Sequence, residues 1–133
     1  MHFVDTNIFL RYFTGDDSVK AEKVLDLLKR VEANEEKVYT SPLVIFETIF
    51  TLSSYYKVSR SKIAEIMLPL LQLRGLHLEN KPVFEDTLDL YASSAISFAD
   101  LYNVCYMRSL GITSIYSYDE DFDAFGDIER KEP

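Results

Sequence analysis

The stretch FVDTNIFLRYF at residues 3–13 sets a pattern that the rest of the chain repeats. Two apolar residues form a very short strand, the polar residues Asp5, Thr6 and Asn7 offer caps, and the apolar residues that follow form a helix. The same order of short apolar strand and longer helix returns further along the chain. Such alternation is typical of a parallel sheet that helices cover on both faces. We therefore predict an α/β fold.

Hydrophobic periodicity and capping residues mark the other elements. Pro42 suits the first turn of a helix, Ser97 suits an N-cap, and Gly111 suits a helix end. Helices are predicted at residues 8–13, 16–31, 42–56, 59–73 (capped by Ser59 or Ser61), 82–93, 97–107 and 120–125. Strands are predicted at residues 3–4, 38–40, 76–78 and 112–118, with an edge strand at 128–130. The sheet should therefore have about four to five short parallel strands flanked by helices.

Length and composition favour one domain spanning residues 1–133. Hydrophobic residues make up 47% of the chain, which is enough for one core without disulfide bonds. Cys105 is the only cysteine, so the chain can form no internal disulfide, and this indicates a reducing compartment. We interpret Cys105 as a buried thiol in an apolar helix and not as a nucleophile.

Targeting and membrane-spanning segments are not expected. The segment MHFVDTNIF at residues 1–9 lacks the basic region and the long apolar stretch of a signal peptide. The apolar runs at residues 42–46 and 66–71 are far too short to cross a bilayer. We therefore expect a soluble, cytoplasmic protein without a membrane partner.

The net charge of −8 argues mildly against a nucleic-acid ligand, because an acidic surface repels phosphates. Two arrangements would remove this objection. Some acids could be concentrated in one metal site, and Lys and Arg could cluster beside it. Any case for RNA must therefore rest on a site and not on composition.

Four acidic residues stand where solvation alone explains them poorly. Asp5 and Asp119 follow predicted strands, and ligands gather at the carboxyl ends of the strands in open parallel sheets. Glu47 lies in the apolar segment LVIFETIF at residues 43–50, where a charge is unfavourable unless it is paired or binds a metal. Asp100 also lies in an apolar helical segment. We therefore consider these four residues as candidate site residues.

Each acid also has a simpler interpretation. Asp5 could cap the helix that follows it, and Asp100 ends the motif Ser-Phe-Ala-Asp, which has the form of a capping box. Asp119 could be only a cap, and Asp121 could belong to a solvated acidic turn. Glu47 could face outward on a partly exposed helix, although we favour a site role for it.

Together the four acids predict a metal site. A parallel sheet would bring them to one edge, and closely packed carboxylates destabilise one another unless a cation lies between them. Oxygen ligands without nearby His or Cys suit Mg²⁺ or Mn²⁺ and not zinc. His2 and His77 lie outside any ligand spacing, and we assign neither of them a role.

Four motifs along the chain match one known family. They are, in chain order, Phe3-Val4-Asp5-Thr6-Asn7, Glu47 in its apolar helix, Ser97-Phe98-Ala99-Asp100 and Tyr118-Asp119-Glu120-Asp121-Phe122. Together they resemble the PIN domain, and within that family they look most like the VapC toxin ribonucleases of type II toxin–antitoxin pairs. Asp-Thr-Asn alone is weak support, but the four motifs span nearly the whole chain in the right order.

The resemblance implies a divalent-metal-dependent endoribonuclease in which Asp5, Glu47, Asp100 and Asp119 form an acidic quartet around Mg²⁺ or Mn²⁺. Asp121 is similar to a fifth acid of the family, and which of Asp119 and Asp121 lies closer to the ion stays open. The supporting polar positions implied by the resemblance are Thr6, Asn7 and Ser97. The resemblance further implies an RNA substrate, a homodimer and a cognate antitoxin that holds the protein inactive.

The ligand types determine the chemistry that we expect. Carboxylates hold the ion while they leave positions for water and phosphate, so that the ion activates water and offsets charge on the phosphate. We predict Asp5 and Asp100 as the main direct ligands. Glu47 should ligate through water or orient the nucleophile, and Asp119 should complete the site. Whether one ion or two bind stays open.

Basic and aromatic residues near the predicted site are candidate RNA contacts. The basic candidates are Arg11, Lys57, Arg60 and Lys62. Tyr55 and Tyr56 could stack on bases. A solvated helix end explains each of these residues at least as well.

The helices at residues 42–56 and 61–73 carry more apolar residues than one sheet face needs. These residues are Phe46, Ile49, Phe50, Leu52, Ile66, Met67, Leu70 and Leu71. Such a surplus predicts a homodimer, and the alternative is that both helices are buried in a monomer. The clustered acids predict a groove that a basic antitoxin segment could fill.

Three other interpretations compete with a nuclease. A haloacid-dehalogenase-type phosphatase needs Asp-x-Asp after its first strand, and Asn7 occupies the third of these positions. A receiver domain needs an Asp–Lys pair that we cannot place, and it leaves Glu47 unexplained. The serious alternative is a PIN fold that acts as a non-catalytic RNA- or protein-binding module. The intact set of acids argues against that alternative.

Overall fold

The computed structural model describes residues 1–133 and has five strands, six α-helices and one 3₁₀ helix. The strands are β1 His2–Phe3, β2 Val38–Tyr39, β3 Leu76–His77, β4 Ser114–Tyr116 and β5 Glu129–Lys131. The helices are α1 Thr6–Thr14, α2 Ser18–Glu32, α3 Pro42–Ser54, α4 Arg60–Leu71, α5 Lys81–Tyr91, α6 Phe98–Ser109 and the 3₁₀ helix Glu120–Ala124. The predicted α/β alternation is confirmed.

Every strand pair is parallel, as predicted, but the strands form two hydrogen-bonded groups. β1, β2 and β3 pair in that order, and β4 pairs with β5. The strand predicted at residues 112–118 is shorter than expected. Its first residue, Ile112, donates its amide to the carbonyl of Met107 at 2.9 Å and so belongs to the end of α6.

Side-chain caps fix where the helices begin. Asp17 accepts a hydrogen bond from the amide of Lys20 at the start of α2. Ser59, and not Ser61, caps α4 by accepting from the amide of Lys62 at 3.2 Å. Such bonds satisfy amide groups that lack a partner inside the helix. None of the six helices combines the length and the apolar character that crossing a membrane requires.

Two hydrophobic cores stabilise the fold. The main core contains 20 buried residues, which come from Val4 directly after β1, from β2 and β3, from helices α1–α5 and from the first turn of α6. The small core contains four buried residues, namely Val104, Met107, Phe122 and Ile128. Helix α6 therefore packs into both cores, with Phe98 and Leu101 in the main core and Val104 and Met107 in the small one.

Most of the apolar surplus on α3 and α4 is buried. Met67, Leu70 and Leu71 of α4 all belong to the main core, so a monomer already buries them. On α3, by contrast, Leu43 is 73% exposed and Phe50 is 70% exposed. Of these two helices, only α3 therefore exposes large apolar side chains.

Cys105 lies on α6 and is buried, as the sequence predicts. Burial raises the pKa of its thiol, because the thiolate is poorly solvated there, and a hydrogen bond with Thr87 opposes that shift. A thiol with a raised pKa is a weak nucleophile at neutral pH. Cys105 is therefore part of the packing and not of a reactive site.

Candidate functional site

Asp5 lies at the carboxyl end of β1, where the backbone before it is held on both sides. The amide of Val4 donates to the carbonyl of Tyr39 at 2.7 Å, and the hydroxyl of Thr40 donates to the carbonyl of Val4 at 2.9 Å. Asp5 itself caps α1, because its Oδ1 accepts from the amide of Thr6 at 2.8 Å. Capping uses one carboxylate oxygen and leaves Oδ2 free of hydrogen bonds from the protein.

Asp100 lies in the first turn of α6, and the N-cap of that helix fixes its backbone. The hydroxyl of Ser97 accepts from the amide of Asp100 at 3.2 Å. The neighbouring side chains of Phe98 and Leu101 are buried in the main core. The carboxylate of Asp100 is half-buried and forms no ion pair with the protein. The predicted cap is therefore made by Ser97, and the acid is free for another role.

Asp119 is the N-cap of the 3₁₀ helix that follows β4, and Asp121 lies in the first turn of that helix. The hydroxyl of Ser117 accepts from the amide of Asp119 at 3.0 Å, and Oδ1 of Asp119 accepts from the amide of Asp121 at 2.9 Å. Phe122 is buried in the small core directly after them. The turn is thus fixed by side-chain hydrogen bonds at its start and by apolar packing at its end.

Three of the predicted acids meet in space. Carboxylate oxygens of Asp100, Asp119 and Asp121 all lie within 4.8 Å of one another, and none of these residues pairs with a Lys, Arg or His. Negative charges at this separation repel one another unless a cation intervenes. A set of oxygen donors alone fits a hard divalent cation such as Mg²⁺ or Mn²⁺.

Asp5 and Glu47 lie outside this group of three. Glu47 is exposed on α3 and forms no ion pair. It lines a cleft of about 880 Å³ whose remaining walls are mostly apolar. The apolar part of the cleft is formed by Leu43, Phe46, Ile49, Phe50, Tyr91 and Phe98. The charge that the sequence places in an apolar segment is therefore solvated at the edge of an apolar cleft.

Arg60 also lines this cleft, but its guanidinium is already engaged. Nε donates to the carbonyl of Tyr91 at 2.9 Å, and a second nitrogen donates to the carbonyl of Ile96. The guanidinium carbon lies 3.8 Å from the centroid of the Tyr91 ring, which is a cation–π contact. These contacts tie the start of α4 to the segment that leads into Ser97.

The other polar residues predicted to support the site differ in their surroundings. Thr6 is 3% exposed, and its hydroxyl has no hydrogen-bond partner. A buried hydroxyl without a hydrogen-bond partner is energetically unfavourable. Asn7 lies next to it and lines a separate small pocket together with Arg11 and Tyr56. Ser97 acts as the cap of α6.

The remaining RNA-contact candidates differ in whether their side chains already have a partner in the protein. Arg11 and Lys57 form no ion pair, and Lys57 adopts a left-handed conformation with φ of 56°. Lys62 pairs with Glu65 at 3.5 Å. Tyr55 is exposed, and its ring packs edge-to-face against that of Tyr56 with the centroids 4.9 Å apart.

The hydroxyl of Tyr56 is already in use, because it donates to Oδ2 of Asp16 at 2.8 Å. This hydrogen bond raises the pKa of Tyr56. Of the two candidate stacking residues, Tyr55 is therefore the one without a hydrogen-bonded partner of its own.

Sequence reasoning missed one residue that bears on the site, Arg130 of β5. Its guanidinium donates to both carboxylate oxygens of Asp123, to the carbonyl of Ser117 and to the carboxylate of Glu132. The spacing between Arg130 and Ile128 in the sequence could have indicated the position of its side chain. Residues two apart in a strand share a face, and Ile128 stands two residues before Arg130 and points into the small core.

Comparison with known proteins identifies the family. The PIN-domain family model matches residues 2–128. The chain belongs to the PIN-domain family. Its sequence is 25% identical over 126 residues to a VapC ribonuclease of Aquifex aeolicus (strain VF5), which covers 95% of this chain and 93% of the relative. The crystal structure of Mycobacterium tuberculosis VapC20, described as a sarcin-ricin loop cleaving toxin, aligns over 100% of both chains at 26% identity, with a TM-score of 0.39.

In this PIN domain the four sequence motifs lie on four separate elements. Asp5 follows β1, Glu47 lies in α3, Asp100 lies in α6 and Asp119 follows β4. The family prediction, which depended on these motifs together, is confirmed. Asp119 and Asp121 both reach Asp100, so the geometry gives neither of them priority.

Proposed function

We propose that this protein is a divalent-metal-dependent endoribonuclease that hydrolyses RNA phosphodiesters and acts as the toxin of a toxin–antitoxin pair. The observation that carries the proposal is the group Asp100, Asp119 and Asp121, whose oxygens lie within 4.8 Å of one another without a cationic partner. Similarity over most of the chain to a protein named VapC ribonuclease supports RNA as the substrate. The lone, buried cysteine is in keeping with activity in the cytoplasm.

The acids divide into those that hold the ion and one that acts on water. Asp100, Asp119 and Asp121 would hold Mg²⁺ or Mn²⁺, and Asp5 would add a ligand through its free Oδ2. When bound, the ion supplies positive charge that offsets charge building on the phosphate and lowers the pKa of water. Glu47 is exposed and unpaired, so it is free to accept a proton from the attacking water and to orient it.

RNA contact is assigned to basic residues that have no partner in the protein. Arg11 and Lys57 form no ion pair, so their charges are free to neutralise phosphates of a bound RNA. Tyr55 is 76% exposed and offers a face for a base. Arg60 is assigned instead to holding the segment before Ser97, because its donors are engaged there.

Association with a second copy is assigned to the exposed face of α3. Leu43 and Phe50 lie on that face and line the apolar cleft, and such a surface favours association. Light scattering at micromolar concentration should give twice the 15.4 kDa of one chain, and Phe50→Asp should give the monomer mass. A wild-type protein that scatters as a 15.4 kDa monomer would exclude this assignment.

The antitoxin should place a basic segment among the clustered carboxylates, because Arg or Lys and a divalent cation compete for the same negative charge. Titration with Mn²⁺ should therefore weaken binding of a basic inhibitor peptide. If Mn²⁺ leaves the affinity of such a peptide unchanged, the inhibitor binds elsewhere.

The nuclease proposal is tested by removing single carboxylates. Asp100→Asn and Asp5→Asn should each lower cleavage of a mixed RNA pool by about 100-fold or more, since even groups that only support ligands cost on the order of 10- to 100-fold in metal affinity. Melting temperature should not fall for Asp100→Asn, because the substitution relieves repulsion. EDTA in excess should abolish cleavage by the wild type.

Asp26→Asn provides the matched control, because Asp26 is an exposed acid on α2 with no ion pair. It should cleave as the wild type does. Full activity in both Asp100→Asn and Asp5→Asn would overturn the catalytic assignment. A wild-type protein that binds RNA but does not cleave it with Mg²⁺ or Mn²⁺ would instead favour the non-catalytic module.

A further inference from the structure

Arg130 holds both ends of the segment that carries two of the clustered acids, residues 117–123, here called the acidic turn. At the start of the turn, Nη1 of Arg130 donates to the carbonyl of Ser117 at 3.2 Å. At its end, Nε and Nη2 donate to the two carboxylate oxygens of Asp123 at 2.9 and 3.2 Å. One planar guanidinium thus fixes the separation of the two ends.

The clamp pairs a mostly buried arginine with exposed carboxylates, since the side chains of Asp123 and Glu132 are 54% and 60% exposed. The side chain of Arg130 is 15% exposed, and it also donates to the carboxylate of Glu132 at 3.1 Å. Its backbone is fixed by β5, which pairs with β4 in parallel register. A bidentate guanidinium–carboxylate pair is geometrically specific as well as strong. The clamp therefore joins the acidic turn to a strand and not to another loop.

The clamp also separates the acids of the turn by role. Asp123 binds Arg130 with both oxygens, whereas Asp119 and Asp121 lie in the group with Asp100. The three grouped carboxylates repel one another, and this repulsion tends to drive the turn away from α6 when no cation is present. Phe122 opposes that motion through packing, and Arg130 opposes it at both ends of the turn.

We propose that Arg130 is a positioning residue for the metal site: by clamping Ser117 and Asp123 it keeps Asp119 and Asp121 beside Asp100 before a cation binds. The inference rests on the proposed metal-dependent function, but it concerns the shape of the metal-free protein. Arg130 contacts none of the three grouped acids in ion pairs, so it acts through the turn and not on the reacting atoms.

The sign of the effect separates positioning from simple electrostatics. Removing a positive charge near an acidic site removes its repulsion of a bound cation, so electrostatics alone should strengthen cation binding. Loss of positioning should weaken it, by on the order of 10- to 100-fold for a group that orients ligands. Arg108 offers a matched control, because it forms a bidentate pair with Asp127 at 2.8 Å outside the acidic turn.

The experiment compares the wild type with Arg130→Met, Arg130→Lys and Arg108→Met. Calorimetry measures the Kd for Mn²⁺, and hydrogen exchange of the metal-free proteins measures protection of the Asp119 and Asp121 amides. Arg130→Met should raise the Kd about 10-fold or more and lose the protection, while Arg108→Met leaves both unchanged. Arg130→Lys keeps the positive charge but cannot form the bidentate guanidinium–carboxylate pair, so it should resemble Arg130→Met.

Each alternative outcome has a distinct meaning. Unchanged or tighter Mn²⁺ binding with retained amide protection in Arg130→Met would overturn the inference alone. Equal losses in Arg130→Met and Arg108→Met would overturn it as well, because they would indicate general destabilisation. If Arg130→Met does not fold, Asp123→Asn removes the charge pair at one end of the clamp and should lose the protection of the Asp119 and Asp121 amides. Amide protection is the deciding measurement for this variant, because removing a negative charge weakens binding of a cation by itself. Mn²⁺ binding without RNA cleavage in the wild type would overturn the proposed function and leave the inference standing.

Discussion

The part of the molecule around β1, β2 and β3 and the part around β4 and β5 are stabilised in different ways. The first part is built on the main core of 20 buried residues, while the second is built on the small core of four. Ion pairs supplement the small core, with Arg108 bound to Asp127 and Arg130 bound to Asp123. Apolar packing determines position in the first part, and directional polar contacts share that role in the second.

The candidate site draws on both parts. Asp100 lies on α6 beside Leu101, which is buried in the main core, whereas Asp119 and Asp121 lie in the acidic turn beside the small core. The acids come together only when the two parts are correctly placed relative to each other. A change in the first part should therefore act mainly on global stability, and a change in the second should act mainly on the site.

The largest expected difference comes from truncating one buried phenylalanine in each part. Phe84 is fully buried and packs against the rings of Phe46 and Tyr102, so Phe84→Ala should cost about 3–5 kcal/mol in the free energy of unfolding. Phe122→Ala should cost less than Phe84→Ala, because the small core has few neighbours and can relax into solvent. Urea unfolding measures both values.

The Mn²⁺ affinities of the same two variants provide a second comparison between the two parts. Phe122→Ala should weaken Mn²⁺ binding, because the acidic turn loses its apolar anchor, whereas folded Phe84→Ala should bind Mn²⁺ nearly as the wild type does. The comparison between the two parts fails if Phe122→Ala is the more destabilising variant and leaves Mn²⁺ binding intact.

A smaller difference should separate two glycines, one in each part. A Cβ at Gly75 would lie 2.2 Å from the carbonyl oxygen of Glu36 and 2.9 Å from that of Val31, so the backbone would have to shift. Gly75→Ala should therefore destabilise the protein by about 1–3 kcal/mol or more. A Cβ at Gly126 would meet nothing within 4 Å, and Gly126→Ala should stabilise the protein by about 0.4–1 kcal/mol.

Thermal and urea unfolding of the two glycine variants provide the check. Similar stability of both variants would mean that the backbone around Gly75 accommodates a Cβ as easily as the backbone around Gly126, which would contradict the comparison. Mn²⁺ binding should be unaffected by Gly126→Ala, because Gly126 lies after the 3₁₀ helix and outside the acidic turn.

Much of the fold could be predicted because local chemistry and long-range packing agree there. The N-cap at Ser97 is readable from residue type and spacing, and the cap of α4 was limited to Ser59 or Ser61. Buried positions such as Leu88 follow from helical periodicity. The family itself was predictable because Asp5 and the other motif residues recur in a fixed order.

The sequence could not predict which acids lie close together or how the strands divide. Glu47 belongs to a motif, yet it lies at the edge of the cleft and outside the group around Asp100. That difference depends on where a whole helix packs, which no local pattern encodes. Val19 shows the same limit, because it is an apolar residue of the amphipathic helix α2 and yet is exposed. Arg130 was missed because its partners lie up to 13 residues away.

The burial of Cys105 has a consequence for how copies of this protein associate. The chain holds one sulfhydryl, it lies inside the packing of α6, and its raised pKa keeps it protonated at neutral pH. Mild oxidants act on exposed thiolates, so they find no target on the surface of the folded chain. Any assembly of two folded copies should therefore form without a disulfide bond, and it should behave identically in the presence and the absence of reductant.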